Sequence, residues 1–332
     1  MAGINGAKSG LVNNVWRLLR DAKRKPDWLL FENVPFMLSL HRGAGIEQLV
    51  EELERLKYRW AYRVVDSRAF GLAQRRRRLY VLASRLADPA RLLFADGGAS
   101  REPPRLDETS CGFYWTEGNR GVGWAVDGIP PLKGTSGVSI VSPPAVWRPT
   151  QRDFVTPTIA DAEALQGFKR NWTIAAEDLP RGLRVRWRLI GNAVSVPVAK
   201  WLGRLLLSRA ESELPAAVPL ANDAPWPNAC FGGHGRRFKV MASEWPGRRS
   251  YVGLSEFLSN DAPPLSTRAA RGFLMRLERS RLRVPEQFRH DLRKYCEAGD
   301  VEQGGRTDES TDGADTGSRQ RTRKGSALSA AS

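Results

Sequence analysis

The spacing of apolar residues over the first 90 positions predicts alternating helices and strands. Residues 11–20 place six apolar side chains on one side, as an amphipathic helix does. The short apolar run at 28–31 is typical of a strand buried on both faces. A second helical stripe covers 46–56, and two further strands are expected at 62–65 and 79–83. This alternation predicts an α/β fold.

The pattern changes beyond residue 94. Gly, Pro, Thr and Ser dominate 94–157, and no long period survives, which predicts a separate loop-rich unit with short strands. A short helix is expected at 161–168 and a longer one at 195–207, with Pro197 in its first turn. The Pro- and Ala-rich segment 215–227 is typical of a linker.

Composition adds a preference for polyanionic partners. The 332 residues include 52 Lys+Arg against 36 Asp+Glu, a formal charge of +16 with a pI near 10.4. Such a charge attracts nucleic acid, although the amino-acid bias of a GC-rich genome explains it equally well. The sequence has no apolar run that could span a bilayer and no leader-like start, so we expect no membrane association and a cytoplasmic location.

Cysteine usage bounds the redox and metal chemistry. The chain has three cysteines, Cys111, Cys230 and Cys296. A small, odd number of cysteines argues against a disulfide framework and favours a reducing compartment. Cys230 and His234 with His290 and Cys296 form a conceivable Cys2His2 zinc set. Because the spacing of the second pair is loose, we expect no metal.

Two charged segments are candidates for binding chemistry. Glu32 ends the first expected strand, where open α/β sheets place their ligands, although a solvated Glu before a turn explains it as well. Gln74 opens the segment Gln-Arg-Arg-Arg-Arg, in which Arg76 and Arg78 would project to the same side of a strand. Two guanidinium groups aimed one way suit a phosphate, a base edge or Glu32. The alternative is an exposed basic hairpin.

A third candidate segment precedes the last long helix of this region. Asn192, in Gly-Asn-Ala-Val, is placed either to cap that helix or to contact a ligand with its amide and the local backbone.

Taken together, four ordered segments resemble the later motifs of the DNA cytosine-5 methyltransferases. They are Phe-Glu-Asn-Val-Pro at 31–35, Ala-Phe-Gly-Leu-Ala-Gln-Arg-Arg-Arg-Arg at 69–78, Thr-Pro-Thr at 156–158 with Leu-Gln-Gly-Phe at 165–168, and Trp-Arg-Leu-Ile-Gly-Asn-Ala-Val-Ser-Val-Pro at 187–197. The resemblance covers about residues 1–210. It implies a partial Rossmann-like methyltransferase sheet and a role in DNA methylation, including restriction–modification.

The resemblance also implies roles for the charged residues. Members of this family flip a cytosine out of double-stranded DNA, add a cysteine thiolate to carbon 6 and methylate carbon 5 from S-adenosyl-L-methionine. Glu32 would bind ring nitrogen 3 and the exocyclic amine, and so stabilise the ring during addition. Arg78 would hold the base oxygen and orient Glu32. Arg76 would face the DNA backbone or the recognition unit, and Gln74 would support the same wall.

The remaining implied roles concern the cofactor and the target sequence. The family often has Ser at the position of Ala193, so a hydroxyl contact is lost there. The cofactor pocket would be lined by Asn192, Ala193 and Val194. Candidates for target recognition are Trp115, Arg120, Trp124 and Lys133.

The resemblance divides the chain into five expected parts. They are 1–95, the second half of the catalytic domain; 96–186, a loop-rich target-recognition region; 187–212, the returning helix; 213–298, a small accessory C-terminal unit; and 299–332, a disordered tail.

Two expected motifs are missing from this sequence: the Gly-rich cofactor loop and the Pro-Cys nucleophile loop. Residues 1–12 resemble the stretch just after the nucleophile loop, so the start is expected to fall inside a domain. Without a neighbour, the strand at 28–31 would expose one edge, and we expect the isolated chain to aggregate or to need a partner. The alternatives are a truncated gene product, a split enzyme whose nucleophile lies on a separate polypeptide, and a non-catalytic DNA-binding remnant.

Overall fold

The computed structural model describes residues 11–95, 109–117, 121–134, 143–208, 213–214, 216–246 and 250–304. The predicted start of the domain at 1–10 and the recognition candidate Arg120 lie outside these ranges.

In the described residues the chain forms ten strands and eight α-helices. The strands are β1 (Trp28–Asn33), β2 (Arg59–Asp66), β3 (Arg77–Ser84), β4 (Cys111–Phe113), β5 (Ala125–Val126), β6 (Ala145–Arg148), β7 (Asp153–Val155), β8 (Ala217–Pro219), β9 (Ala229–Gly233) and β10 (Arg236–Val240). The helices are α1 (Leu11–Asp21), α2 (Ala44–Arg55), α3 (Pro89–Leu93), α4 (Ile159–Leu165), α5 (Gly182–Asn192), α6 (Val196–Leu207), α7 (Thr267–Glu278) and α8 (Glu286–Gly304).

The first sheet has the order β1-β3-β2-β9-β10-β8, and each neighbouring pair is antiparallel. Because β1 and β2 both pair with β3, they run in the same direction, with α2 between them in sequence. Helices α1 and α2 cover one face, where Trp16, Ile46 and Tyr62 are buried. Helices α3 and α6 cover the other face, where Leu93 and Leu202 are buried. The predicted α/β class is therefore confirmed.

Strand β1 is an edge strand of this sheet. Among the described strands it pairs only with β3, and Leu30 at its centre is 46% exposed. The prediction that this segment is buried on both faces is wrong, because its second edge and part of one face have no neighbour in the described chain.

A second sheet, in the order β5-β4-β6-β7, forms the loop-rich region. Its strands have two to four residues, as the sequence indicated. Helices α7 and α8 supply the other half of its core, where Phe113 packs against Phe273 and Phe288 at ring-centroid distances of 5.0 and 5.1 Å. The indole nitrogen of Trp147 donates to buried Asp291 Oδ2 at 3.1 Å.

The segment expected to form a separate C-terminal unit contributes to both sheets. Strands β8–β10 extend the first sheet beside β2, and α7 and α8 cover the second. The expected linker at 215–227 contains β8, which pairs with β10. The placement of a domain boundary between residues 212 and 213 stays a prediction. The expected tail at 299–332 begins inside α8, and residues 305–332 lie outside the described ranges.

No helix among the described residues is long and apolar enough to cross a membrane.

Candidate active site

Glu32 and Arg78 form an ion pair at the end of β1. In the pairing register Glu32 lies opposite Tyr80, so Arg78, two residues before Tyr80, projects from the same face of the sheet. Arg78 Nε lies 2.8 Å from Glu32 Oε1, with the two side chains 15% and 32% exposed. Arg78 Nη1 also donates to the carbonyl of Arg77 at 2.9 Å.

The turn after β1 fixes the position of this carboxylate. The backbone N–H of Val34 donates to Asn33 Oδ1 at 2.8 Å, and Pro35 opens a 3-10 helix, Pro35–Leu38. This turn ends the strand at Asn33, one residue after Glu32. Within the described chain no donor contacts Glu32 Oε2 and no acceptor contacts Arg78 Nη2. The pair can therefore present one acceptor and one charged donor outward.

Arg76 has a different environment, although it lies only two residues from Arg78. Its side chain is 5% exposed, and its Nη2 donates to the Ala193 carbonyl at 3.0 Å. Nη1 lies 3.5 Å from the Leu132 carbonyl. Burial, reinforced by repulsion from Arg78, lowers the pKa of Arg76 to about 10. The guanidinium is therefore still charged at neutral pH, and it holds backbone carbonyls together.

Gln74 extends the same group of contacts. Its side chain is fully buried; Nε2 donates to Gln166 Oε1 at 2.6 Å and to the Leu165 carbonyl at 3.0 Å. Its Oε1 accepts the Leu132 N–H at 3.1 Å. Gln166 in turn donates from Nε2 to the Ala193 carbonyl at 2.5 Å. These five residues, Gln74, Arg76, Leu132, Gln166 and Ala193, are called the Ala193 network below.

The four-arginine run is not an exposed basic hairpin. Only Arg77 is exposed, and its guanidinium pairs with Glu244 beyond β10. Arg75 is half-buried, and its N–H donates to the Ile129 carbonyl at 2.8 Å. The alternative that this segment is an exposed basic hairpin is therefore wrong, because Arg76 is buried and Arg75 and Arg78 are only partly exposed.

Asn192 lies at a tight junction between helices. It is the last residue of α5, whereas Ser195 is the N-cap residue of α6, so the helix-capping interpretation of Asn192 is wrong. Asn192 and Val194 are exposed, and Ala193 is half-buried. Gly191 is required here, since a Cβ on it would lie 2.1 Å from the backbone nitrogen of Gly134. The predicted cofactor residues therefore form the outer side of a turn that packs against the 132–134 segment.

The three recognition candidates within the described ranges differ in their burial. Trp115 and Trp124 pack partly against the core beneath α7 and α8, and Trp115 Nε1 donates to the Pro143 carbonyl at 2.9 Å. Lys133 Nζ lies 3.7 Å from the Tyr114 ring centroid and pairs with Glu117. The guanidinium of Arg276 on α7 donates to the carbonyls of Trp115 and Glu117 at 2.7 and 2.8 Å. Helix α7 thus holds the turn that carries Trp115 and Glu117, the ion-pair partner of Lys133.

The three thiols are free and buried in the structure. Burial raises the pKa of Cys111 and of Cys230 to about 12, and it also raises the pKa of Cys296. Across the described ranges no group of three or more His, Cys, Asp or Glu side chains could hold a metal ion, and the zinc alternative has no donor set there.

One residue of the site was not singled out from the sequence. Gln166 lies in the quoted Leu-Gln-Gly-Phe segment, but a lone Gln after a short helix gives no pattern of its own. Its role became visible only through contacts with residues 92 positions earlier and 27 positions later.

Comparisons with known proteins identify the family of this chain. The sequence model of the C-5 cytosine-specific DNA methylases matches residues 1–101. The chain is 41% identical over 308 residues to the Type II methyltransferase M2.BsuMI of Bacillus subtilis (strain 168), covering 88% of this chain and 77% of that protein. It is 31% identical over 98 residues to the Type II methyltransferase M.BanI of Aneurinibacillus aneurinilyticus, covering 30% of this chain and 22% of that protein.

Among solved structures, the S. pombe Dnmt2 methyltransferase aligns with 60% of this chain and 70% of its own, at a TM-score of 0.43 and 15% identity. The sheet, the ordered segments and the sequence relatives define a methyltransferase with a mixed α/β fold. The chain belongs to the C-5 cytosine-specific DNA methylase family.

Proposed function

We propose that this chain supplies the base-binding side, and part of the cofactor pocket, of a DNA cytosine-5 methyltransferase that acts on a cytosine flipped out of double-stranded DNA. The observation that carries the proposal is the Glu32–Arg78 pair, which leaves one carboxylate oxygen and one guanidinium nitrogen without a partner in the described chain. Similarity to a Type II methyltransferase favours a restriction–modification setting.

The pair matches one edge of a cytosine ring. Glu32 Oε2 would accept from the exocyclic amine, and the carboxyl group would hydrogen-bond nitrogen 3, while Arg78 Nη2 would donate to the ring carbonyl oxygen. When a nucleophile adds to carbon 6, electron density moves onto this edge of the ring. A charged donor and a proton-sharing carboxyl fixed there stabilise that density.

The turn at 192–194 is the proposed cofactor contact of this chain. S-adenosyl-L-methionine, which the family implies, would supply the methyl group when bound. Asn192 offers an exposed amide and Val194 an exposed apolar surface, a combination that fits a polar, partly aromatic ligand. Ser195 Oγ, next along the chain, is buried without a partner in the described structure, which leaves a polar position available beside this turn.

The thiolate that adds to carbon 6 has no counterpart among the three cysteines, which are all buried. We propose that it comes from a separate polypeptide whose parallel strand adds to the edge of β1 that is unpaired among the described strands. Leu30, Val34 and Phe36 are each nearly half exposed at or after this strand. Apolar groups beside unpaired backbone of an edge strand suit a sheet-extending partner.

The test is methyl transfer from radiolabelled S-adenosyl-L-methionine to a cytosine-containing duplex. The chain is assayed alone and with a co-expressed polypeptide that carries a Pro-Cys loop. We expect activity only in the mixture, and we expect Glu32→Gln to lower turnover about 100- to 10,000-fold with little loss of DNA binding.

The matched control is Glu51→Gln, which makes the same chemical change on an exposed site of α2. It should leave turnover unchanged. Equal losses of turnover and DNA binding in Glu32→Gln would remove the proposed role of that carboxylate.

The second candidate is a non-catalytic DNA-binding remnant, favoured by the basic charge and by the buried thiols. It predicts salt-sensitive DNA binding with no methyl transfer in any mixture. Methyl transfer by the chain with or without its partner would reject it.

A further inference from the structure

We infer that Gln166 is a positioning residue for the cofactor turn, and that it connects this turn to the arginine segment. This inference deepens the proposed function and rests on it for the identity of the ligand. Gln166 has no assigned role of its own, and it is fully buried.

Gln166 holds the turn between α5 and α6 at two points. Its side-chain Nε2 donates to the Ala193 carbonyl at 2.5 Å, and its backbone carbonyl accepts the Val196 N–H at 3.1 Å. The next residue, Gly167, has a φ of +90°, and a Cβ on it would lie 2.5 Å from Pro197 Cδ. The Leu165–Gly167 segment therefore packs closely along the whole turn that carries the proposed cofactor residues.

The amide of Gln166 also connects this turn to the other half of the site. Its Oε1 accepts from Gln74 Nε2 at 2.6 Å, while Arg76 donates to the same Ala193 carbonyl that Gln166 binds. A side chain here must donate to one neighbour and accept from another at the same time, which a glutamine amide does and a carboxylate or a methyl group does not. The same amide therefore joins the turn to the buried Gln74–Arg76 segment that precedes β3.

The residues proposed to contact the ligand differ in exposure from the groups that Gln166 and Arg76 bind. Asn192 and Val194 are exposed, and the Ala193 carbonyl is fully used inside the protein. The Ala193 carbonyl that Gln166 binds is therefore not available to the cofactor. Gln166 would affect cofactor binding only through the position of the turn.

The experiment compares two variants of Gln166 in the complete enzyme, meaning the full chain together with its nucleophile-bearing polypeptide. Gln166→Met removes both side-chain hydrogen bonds at similar volume. Gln166→Glu keeps the acceptor for Gln74 and loses the donor to Ala193, while the guanidinium of Arg76 offsets the new charge and favours folding. Gln287→Met, on an exposed position of α8, is the matched control.

We expect both variants to raise the KM for S-adenosyl-L-methionine about tenfold, with kcat and the KM for DNA changed less than about threefold. In hydrogen–deuterium exchange of the full chain, which needs no activity, the Val196 amide should exchange about tenfold faster in both variants. Gln287→Met should change neither quantity.

Unchanged exchange at Val196 in both variants would overturn the inference whether or not the enzyme is active. In an active enzyme, an unchanged KM for S-adenosyl-L-methionine would overturn it as well. Absence of methyl transfer by the unaltered complex would instead reject the proposed function, and the exchange measurement would still decide whether Gln166 positions the turn.

Discussion

The Glu32–Arg78 pair and the Ala193 network use neighbouring arginines of one segment in opposite ways. Arg78 lies near the start of β3, beside the end of the edge strand β1, and it is partly exposed with a single carboxylate partner. Arg76, two residues earlier, is buried and donates to backbone carbonyls from two other segments. The first arrangement leaves donors available for a ligand, whereas the second uses them to join parts of the chain.

This difference follows from where the strand begins. Strand β3 starts at Arg77, so Arg78 lies within the paired sheet opposite Val65, whereas Arg76 lies in the connection that packs against 129–132. A buried arginine such as Arg76, which donates to backbone carbonyls of other segments, stabilises the fold by joining those segments. A partly exposed arginine with one carboxylate partner contributes less to folding, because water partly screens the pair.

The comparison is tested most strongly by Arg78→Met in the complete enzyme. The change removes the charged donor beside Glu32, so we expect turnover to fall about 100- to 1,000-fold, as for loss of one oxyanion donor. The free energy of unfolding should fall by less than about 1 kcal/mol, since the pair is solvent-screened. Methyl-transfer assays measure the turnover, and urea unfolding of the same preparation measures the free energy of unfolding. A loss of stability with unchanged turnover would reverse the assignment of the two arginines.

Arg76→Met should show the opposite balance. It removes one of the two donors to the Ala193 carbonyl, which keeps Gln166, and it removes the Arg76 donor to the Leu132 carbonyl in a buried site. We therefore expect the free energy of unfolding to fall by about 2–4 kcal/mol. Urea unfolding followed by tryptophan fluorescence gives this value, with Arg78→Met as the matched control. A decrease below 1 kcal/mol would show that the buried guanidinium contributes no more than an exposed one.

The sequence was sufficient to predict the Glu32–Arg78 pair but not the Ala193 network. Alternation along the strand left Glu32 as one of several possible partners, and the family resemblance implied that Arg78 orients Glu32; the structure brings the two side chains to 2.8 Å. The same alternation put Arg76 on the side of Arg78, where a strand running through the whole segment would place it. Because the strand starts only at Arg77, the buried location of Arg76 depends on packing between segments more than 50 residues apart.

Of the elements that the sequence analysis missed, two were missed for related reasons. Helix α5 was not predicted because its buried face includes Arg186, which pairs with buried Glu163 and breaks the apolar stripe. Strand β8 was interpreted as a linker because a three-residue segment that ends in Pro219 shows no periodicity, and only its pairing with β10 makes it a strand. In both cases a distant partner decides the conformation, and local composition carries no sign of that partner.

The open edge itself is tested by Leu30→Lys. A charge at the centre of β1 should disfavour an added strand, so we expect the affinity for the nucleophile-bearing polypeptide to fall about tenfold. The free energy of unfolding should change by less than about 0.5 kcal/mol, because Leu30 is already largely exposed. Met275→Lys, an exposed apolar position on α7, is the control. Equal binding by both variants, measured by sedimentation, would show that the partner does not use this edge.

The smallest expected effect concerns the thiols, which belong to neither region. Because burial favours the neutral form and raises the pKa of Cys111 and Cys230 to about 12, only about one thiol in ten thousand is ionised at pH 8. Ellman's reagent should therefore leave the native chain unlabelled over minutes at pH 8, while the unfolded chain reacts at all three cysteines. Reaction in the native state should increase only as the pH approaches the raised values. Rapid labelling of one thiol at pH 8 would reveal an accessible thiolate, and the nucleophile would no longer have to come from outside this chain.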